Sequence, residues 1–130
     1  MNYIYLASPY THQYKCVEVE RFNLVCECAA FLMKKGYHIF SPIAHTHPIA
    51  MVGDLPTHFE YWQDYDKAML RNAGGLWVLC LSGWELSTGI KGEIELAKEY
   101  GVPIHYLQPN RPYSVFDPRR TGDANNNKSS

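Results

Sequence analysis

Short apolar runs separated by longer amphipathic stretches dominate residues 2–107 of the chain. Runs rich in β-forming residues predict strands at 3–7, 37–40, 76–81 and 102–107. Between them, apolar residues recur every three or four positions and predict helices over 17–35, 57–72 and 87–100. This alternation favours parallel strands joined by right-handed crossovers. The predicted fold is therefore α/β, a three-layer doubly wound architecture with a mostly parallel, four- to five-stranded sheet.

Two segments break this regularity. Residues 43–56 contain two histidines, two prolines and a Gly-Asp pair, which predicts a long loop at the rim of the sheet. After Pro109 the sequence turns polar and proline-rich, and residues 119–130 offer almost nothing to bury. We therefore expect one domain over residues 1–118 and a disordered tail over residues 119–130.

Composition and charge narrow the classes of partner. The 130 residues carry a formal net charge of −1 and a sequence pI near 6.6. Proteins held to nucleic acid or anionic membranes mainly by charge need clustered Lys and Arg, so neither class is expected. No apolar stretch approaches the roughly 20 residues needed to cross a bilayer, and no signal peptide precedes the first predicted strand. We expect a cytoplasmic protein with a small-molecule ligand.

The four cysteines do not form an obvious disulfide or metal pattern. Cys16, Cys26 and Cys28 lie along one predicted helix, and Cys80 lies in a predicted buried strand. Cys26 and Cys28 are two residues apart and so point to different faces of the helix. We expect reduced thiols that mostly serve packing.

Parallel strands place their carboxyl ends at one edge of the sheet, where α/β proteins bind ligands. Glu93 lies in the first turns of the helix that follows the buried strand 76–81, which places its carboxylate at this edge. On the preceding helix, Asp66 can face inward while Asp64 faces another side. A first-turn glutamate is also stabilised by the helix dipole, so its position alone assigns no chemical role. The segments expected to converge at the edge are 5–10, 41–47 and 82–93.

Three segments together resemble a known superfamily. The first is Tyr-Ile-Tyr-Leu-Ala-Ser-Pro at 3–9, the second is Asp66 with Leu70 one turn later, and the third is Gly-Trp-x-x-Ser-x-Gly-x-x-x-Glu-x-x-x-Ala at 83–97. In this order and spacing they resemble the nucleoside 2-deoxyribosyltransferase-like superfamily, which has a flavodoxin- or Rossmann-like fold. The segment Phe-Ser-Pro-Ile-Ala-His-Thr-His-Pro-Ile-Ala at 40–50 is similar to a small, largely uncharacterised bacterial and phage branch of it.

The resemblance implies chemistry at an N-glycosidic bond. Members of the superfamily either exchange bases between deoxynucleosides or hydrolyse nucleoside 5′-monophosphates. Glu93 matches the glutamate that attacks the anomeric carbon and forms a covalent glycosyl-enzyme intermediate. Asp66 matches a carboxylate that contacts the sugar or base and helps to protonate the leaving base, and Tyr5 matches a tyrosine that positions the nucleophile. The reaction needs no metal or cofactor, and the resemblance implies a homodimer or a higher homo-oligomer.

Further residues are expected to bind the substrate. Ser87 matches a position where relatives carry either an acidic residue or a serine near a phosphate. Trp84 is our choice for an aromatic ring that stacks on the base, ahead of Phe59 and Trp62. Neutral imidazoles on the predicted 43–56 loop can hydrogen-bond a base or phosphate. The predicted substrate-binding residues are Ser8, Pro9, His45, His47, Gly83, Trp84, Ser87 and Gly89.

Departures from the superfamily pattern favour hydrolysis over base exchange. The segment 72–75 lacks the aspartate that many relatives carry before the third strand, and the C-terminal region does not clearly supply the asparagine that some transferases lend to a neighbouring subunit. Two alternatives stay open. One is a nucleotide-binding or sensing module without turnover. The other is a metal-dependent hydrolase built on His45 and His47, with Asp54 and His58 nearby.

Overall fold

A computed structural model describes residues 2–120. A single sheet holds five strands in the order β2-β1-β3-β4-β5. The first four strands are parallel, and β5 pairs antiparallel with β4. The strands are β1 Ile4–Ala7, β2 Ile39–Phe40, β3 Gly75–Leu79, β4 Ile104–Leu107 and β5 Val115–Phe116. The helices are α1 Lys15–Lys34, α2 Pro42–Gly53, α3 Phe59–Arg71 and α4 Thr88–Tyr100, with a 3-10 turn at Trp84–Leu86.

Helices cover both faces of the sheet. Alternate strand residues point to opposite sides, so each face contributes its own side chains to a core. Leu6 of β1 packs in one cluster with α1 residues such as Val25 and with Ile43 of α2. Tyr5 and Ala7 pack in a second cluster with Leu70 of α3 and with residues of α4, on the other face. The structure therefore confirms the predicted three-layer, Rossmann-like α/β fold. Burying one such large apolar side chain contributes roughly 1.5–3 kcal/mol.

The predicted loop over 43–56 is wrong, because residues 42–53 form helix α2. The Ser41 side chain caps it by accepting from the Ala44 backbone N–H at 3.1 Å, and Pro42 occupies the first turn, where its missing N–H costs nothing. Pro48 lies inside the helix and removes one backbone donor. Asp54 ends the helix in the left-handed region, at a φ of 54°.

The buried face of α2 explains both why this segment is a helix and why its sequence predicted a loop. Its buried residues include Ile43, Thr46, His47 and Ala50, spaced as on one face of a helix. Two of these four are polar, so the apolar periodicity that marks a helix was hidden. The Pro-rich composition then favoured a loop.

Two smaller features also differ from expectation. Strand β5 was not predicted separately; it has two residues, and Val115 is exposed. The first residues of the predicted tail are described, and Arg119 pairs with Asp117, with its Nε 3.2 Å from Oδ1. The rest of that predicted tail, residues 121–130, lies outside the described residues. No helix within residues 2–120 is long and apolar enough to cross a membrane.

All four cysteines are free thiols. Cys16 is exposed, whereas Cys28 and Cys80 are buried on opposite faces of the sheet. Burial raises the pKa of Cys28 and of Cys80 to about 12. These two thiols therefore stay protonated and serve packing.

Candidate active site

A cavity of about 260 Å³ opens at the rim where the parallel strands end. Three helices begin at it: Pro42 and Ile43 of α2, Phe59 of α3, and Thr88 and Gly89 of α4 all line the wall. Each helix N-terminus presents backbone N–H groups and a partial positive charge. The cavity is therefore suited to a ligand or intermediate that carries negative charge.

Glu93 lines the cavity, and its carboxylate is held by a buried residue outside the lining. The Tyr5 hydroxyl donates to Oε2 of Glu93 at 2.5 Å. Tyr5 is fully buried because its position in β1 directs it into the layer of α3 and α4. Glu93 is only 5% exposed, and it shares the buried face of α4 with Ile90 and Ala97. Sheet register and helix periodicity thus bring together two residues that are 88 positions apart.

Asp66 supplies a second buried carboxyl group to the same cavity. It lies on α3 one turn before the fully buried Leu70 and is 8% exposed, while Asp64 is exposed. Within the described residues, its Oδ1 has no hydrogen-bond partner. A buried polar oxygen without a partner is costly, by roughly 1–3 kcal/mol, so a ligand group that bonds to it gains affinity.

Burial sets the protonation of Glu93, Asp66 and Tyr5. It raises the pKa of Glu93 to about 8, with the charge of Asp66 adding to the rise and the Tyr5 hydrogen bond opposing it. Burial also raises the pKa of Asp66 to about 7 and that of Tyr5 well above its usual range. Tyr5 therefore remains a donor. Because burial disfavours ionisation of both carboxyls, and the charge of Asp66 adds to this at Glu93, the Asp66–Glu93 pair holds a proton near neutral pH.

The Tyr5 hydroxyl favours the ionised form of Glu93, whereas Asp66 has no donor at its Oδ1. Burial still outweighs that hydrogen bond, because the pKa of Glu93, about 8, lies above that of Asp66, about 7. When the empty site holds one proton, that proton therefore lies mainly on Glu93. An ionised Glu93 beside a protonated Asp66 is the other arrangement of the same proton, and a nucleophile and an acid in one site need that arrangement.

One wall of the cavity is aromatic. Phe59 packs on α4 so closely that a Cβ added at Gly92 would lie 2.8 Å from its ring. The Trp62 indole N–H donates to the Pro56 carbonyl at 2.8 Å, which fixes the ring beside the cavity. Leu86 also lines the cavity and is 82% exposed. The cavity therefore combines an apolar wall with the carboxyl groups of Asp66 and Glu93.

Three of the eight predicted binding residues line the cavity: Ser8, Ser87 and Gly89. The Ser8 hydroxyl is buried and, within residues 2–120, has no partner, so it is available to a ligand. The Ser87 hydroxyl caps α4 by accepting from the Ile90 N–H at 3.2 Å. Gly89 contacts Phe59, since a Cβ there would lie 3.6 Å from its ring.

The structure places the other five outside the lining of this cavity. Pro9 is fully buried in the core, and Gly83 borders the guanidinium of Arg21. Trp84 packs on Tyr106, with ring centroids 5.6 Å apart, and the aromatic residues that line the cavity are Tyr10, His58, Phe59 and Trp62.

The two histidines of α2 have separate neighbours. His47 is buried, stacks on Phe22 at 4.4 Å, and has its Nδ1 2.6 Å from the Tyr10 hydroxyl. His45 stacks on Tyr65 at 5.0 Å. In the described part of the chain, no three His, Cys, Asp or Glu residues are grouped as metal ligands. The geometry therefore gives the metal-dependent alternative no support.

Several cavity residues were missed by the sequence reasoning. Thr46 of α2 is buried and lines the cavity, but its segment was predicted as a loop. Thr57 lines the cavity, and its hydroxyl donates to Oε2 of the buried Glu18 at 3.4 Å. The same Glu18 oxygen accepts from the His12 N–H at 3.0 Å. The spacing of Ile43, Thr46 and Ala50 was the signal that could have placed Thr46 on an inward face.

Comparison with known proteins identifies the family of this chain. No curated protein sequence matches the chain. One family model, described as a domain of unknown function (DUF1937), matches residues 2–108. That span includes Tyr5, Asp66 and Glu93, and the family description assigns them no activity, so their roles stay predictions. Because the match covers far more than half of the sequence, the chain belongs to the DUF1937 family.

Proposed function

We propose that the protein cleaves the N-glycosidic bond of a nucleoside or nucleoside 5′-monophosphate. The observation that carries the proposal is that Glu93, held by a buried hydrogen bond from Tyr5, lines the same cavity as Asp66. Glycoside cleavage with a covalent intermediate needs one ionised carboxylate as nucleophile and one protonated carboxyl as acid. The Asp66–Glu93 pair can supply both in one site.

In the first step, a carboxylate oxygen of Glu93 attacks the anomeric carbon. The bond from that carbon to the base nitrogen breaks, and its electron pair leaves with the base. Asp66 gives its proton to the departing base, so that a neutral base is released. Tyr5 orients Glu93 and favours its ionised form through its hydrogen bond.

In the second step, water completes the reaction. Asp66, now a carboxylate, removes a proton from a water molecule that attacks the anomeric carbon. The ester bond to Glu93 breaks, and its electron pair returns to the carboxylate. The free sugar leaves, and both side chains regain their starting protonation. The reaction uses only side chains of this chain, without a metal or cofactor.

The shape and polarity of the cavity support this class of ligand. Its volume of about 260 Å³ lies just below the usual range for ligand pockets, roughly 300–1,000 Å³, which favours a small ligand. Phe59 and Trp62 offer apolar rings for a planar base. Ser8 and Asp66 offer buried polar atoms for the sugar or its substituents. The helix N-termini at the wall favour a 5′-phosphate.

A second candidate is a nucleotide-binding module without turnover. The observation that favours it is that burial raises the pKa of Glu93 to about 8, so much of the empty protein holds a neutral Glu93 at pH 7. A protonated glutamate is not a nucleophile. Nucleotide binding measured by calorimetry, together with no release of base, is the result that this candidate predicts.

We also propose that the protein is cytoplasmic and forms a homodimer or a higher homo-oligomer; the resemblance implies the oligomer. Leu86, Tyr61 and Tyr65 are large apolar side chains that are exposed in the single chain, at 82%, 49% and 42%. Light scattering coupled to size-exclusion chromatography measures the mass in solution. A mass of at least twice 14.9 kDa is expected, and a mass of 14.9 kDa contradicts the oligomer.

The test of the proposed activity is release of free base. The protein is incubated with a panel of ribo- and deoxyribonucleosides and their 5′-monophosphates, and free base is followed by chromatography. We expect release from at least one member of the panel and its loss in Glu93→Ala. The matched control is Glu95→Ala, which removes an exposed carboxylate from the same helix and should leave the rate unchanged. Release by Glu93→Ala at the wild-type rate contradicts the mechanism.

A further inference from the structure

Arg21 of α1 joins two loops that are distant in sequence. Its Nη1 donates to the carbonyls of Tyr10, at 3.3 Å, and Thr11, at 3.1 Å. Its Nη2 donates to the carbonyl of Ser82 at 3.2 Å, across 61 positions. The first two carbonyls belong to the loop after β1, and the third belongs to the loop after β3.

The contacts of Arg21 are with carbonyl oxygens rather than carboxylates. Within residues 2–120 it forms no ion pair, although Glu18 and Glu20 lie close enough to raise its pKa against the lowering by burial. A guanidinium stays charged in proteins, and its planar fork presents several donors in fixed directions. The Arg21 guanidinium can therefore hold three backbone acceptors at fixed positions. A lysine ammonium has no such rigid, planar set of donors.

Gly83 makes room for this arrangement. Its φ is 88°, in the left-handed region that favours glycine. A Cβ at this position would lie 3.0 Å from Nη2 of Arg21. Gly83 begins the sequence motif at 83–97. It lies beside the Arg21 guanidinium and does not line the cavity.

Both tied loops continue into walls of the cavity. Tyr10 and Thr11 line it directly, and so do Leu86 and Ser87, which follow Gly83 through the 3-10 turn. We propose that Arg21 is a positioning residue that fixes the separation of these two walls and thereby sets the affinity of the cavity for its ligand. The identity of that ligand rests on the proposed function, whereas the tie between the loops does not.

The experiment compares Arg21→Met and Arg21→Lys in the full chain. Arg71→Met is the matched control, because the hydrogen bond and ring contact of Arg71 within residues 2–120 are both with Tyr100, away from the cavity lining. Amide hydrogen exchange is measured by mass spectrometry for segments 8–12 and 81–87. The KM and kcat for base release are measured with the best monophosphate of the panel, and thermal unfolding of each variant is recorded.

We expect faster exchange in both segments of Arg21→Met, with a KM raised on the order of tenfold and kcat changed by less than about threefold. Arg21→Lys should recover part of the KM, and Arg71→Met should change neither quantity. A purely structural role would lower the unfolding temperature without this selective rise in KM. Unchanged exchange in both segments, or faster exchange with an unchanged KM, overturns the proposal.

The test separates this proposal from the proposed function. If the wild-type protein binds a monophosphate but releases no base, the dissociation constant measured by calorimetry replaces KM. If it neither binds nor cleaves any member of the panel, the proposed function is wrong. The exchange of segments 8–12 and 81–87 then decides by itself whether Arg21 ties the loops.

Discussion

Replacing Glu93 with Gln should make the protein more stable at neutral and alkaline pH. Gln has nearly the shape of a protonated Glu and keeps an oxygen that accepts from the Tyr5 hydroxyl, but it never ionises. Burial raises the pKa of Glu93 from its usual 4.5 to about 8. Between these two values, the folded protein retains a proton that the unfolded chain has lost. The wild-type protein therefore loses stability as pH rises through this range.

The magnitude follows from the pKa values. One pKa unit corresponds to about 1.4 kcal/mol, so the buried carboxylate costs on the order of 5 kcal/mol above pH 8 and about 3 kcal/mol at pH 7. Glu93→Gln should match the wild type near pH 4 and exceed it increasingly as pH rises. At roughly 4 °C per kcal/mol for a chain of this size, the unfolding temperature at pH 7 should rise by about 10 °C.

The assay is thermal and urea unfolding of wild type, Glu93→Gln and Glu95→Gln between pH 4 and pH 9. Glu95 lies exposed on the same helix, so its substitution should change stability by less than about 0.5 kcal/mol at every pH. A wild-type stability that does not fall between pH 5 and pH 8, or a Glu93→Gln variant less stable than wild type at pH 8, refutes the reasoning.

Three further predictions concern residues around the cavity. Tyr5→Phe removes the hydrogen bond that opposes the rise in the pKa of Glu93, so the pH–rate profile should move to higher pH and base release should fall on the order of 10²-fold. Asp66→Asn should slow the release of a poor leaving base by about 10²–10⁴-fold and spare a substrate whose leaving group needs no proton; equal losses for both contradict the role of acid. Gly92→Ala should displace Phe59, destabilise the fold by about 1–3 kcal/mol in urea unfolding and raise KM; an unchanged variant contradicts the close packing of that ring.

The sequence was sufficient for the elements whose pattern reflects burial alone. Strand β3 reads as an apolar run because both of its faces are covered, and α1 shows apolar residues at helical spacing. Their order predicts parallel strands and hence the rim. The sequence alone therefore predicts Tyr5, Asp66 and Glu93 at that rim.

The sequence predicted the wrong element where polar residues lie on the buried face of a helix. The inward face of α2 carries Thr46 and His47, and Pro48 interrupts its backbone donors, so neither hydrophobicity nor propensity indicated a helix. The prediction that Trp84, rather than Trp62, stacks on the base is not supported by the cavity, which Trp62 lines and Trp84 does not. Periodicity shows that a ring is partly buried, but only tertiary packing decides whether it faces the core or the cavity.

The role of Arg21 also depends on tertiary structure. Its three acceptors are backbone carbonyls of Tyr10, Thr11 and Ser82, and a backbone acceptor leaves no residue-type pattern in a sequence. The φ of Gly83 is a partial signal, since glycine marks positions where the left-handed region is needed. The partner that occupies the space beside Gly83 could be found only in the fold.

The most direct test of the central claim is to look for the covalent intermediate on Glu93. The protein is mixed with the best substrate of the panel, quenched in acid during turnover, and digested for peptide mass spectrometry. The account predicts that the peptide containing Glu93 gains the mass of the glycosyl group of that substrate, and that Glu93→Gln shows no such gain. Turnover by the wild type without a glycosyl adduct on Glu93 at any quench time, together with wild-type rates in Glu93→Gln, would contradict it.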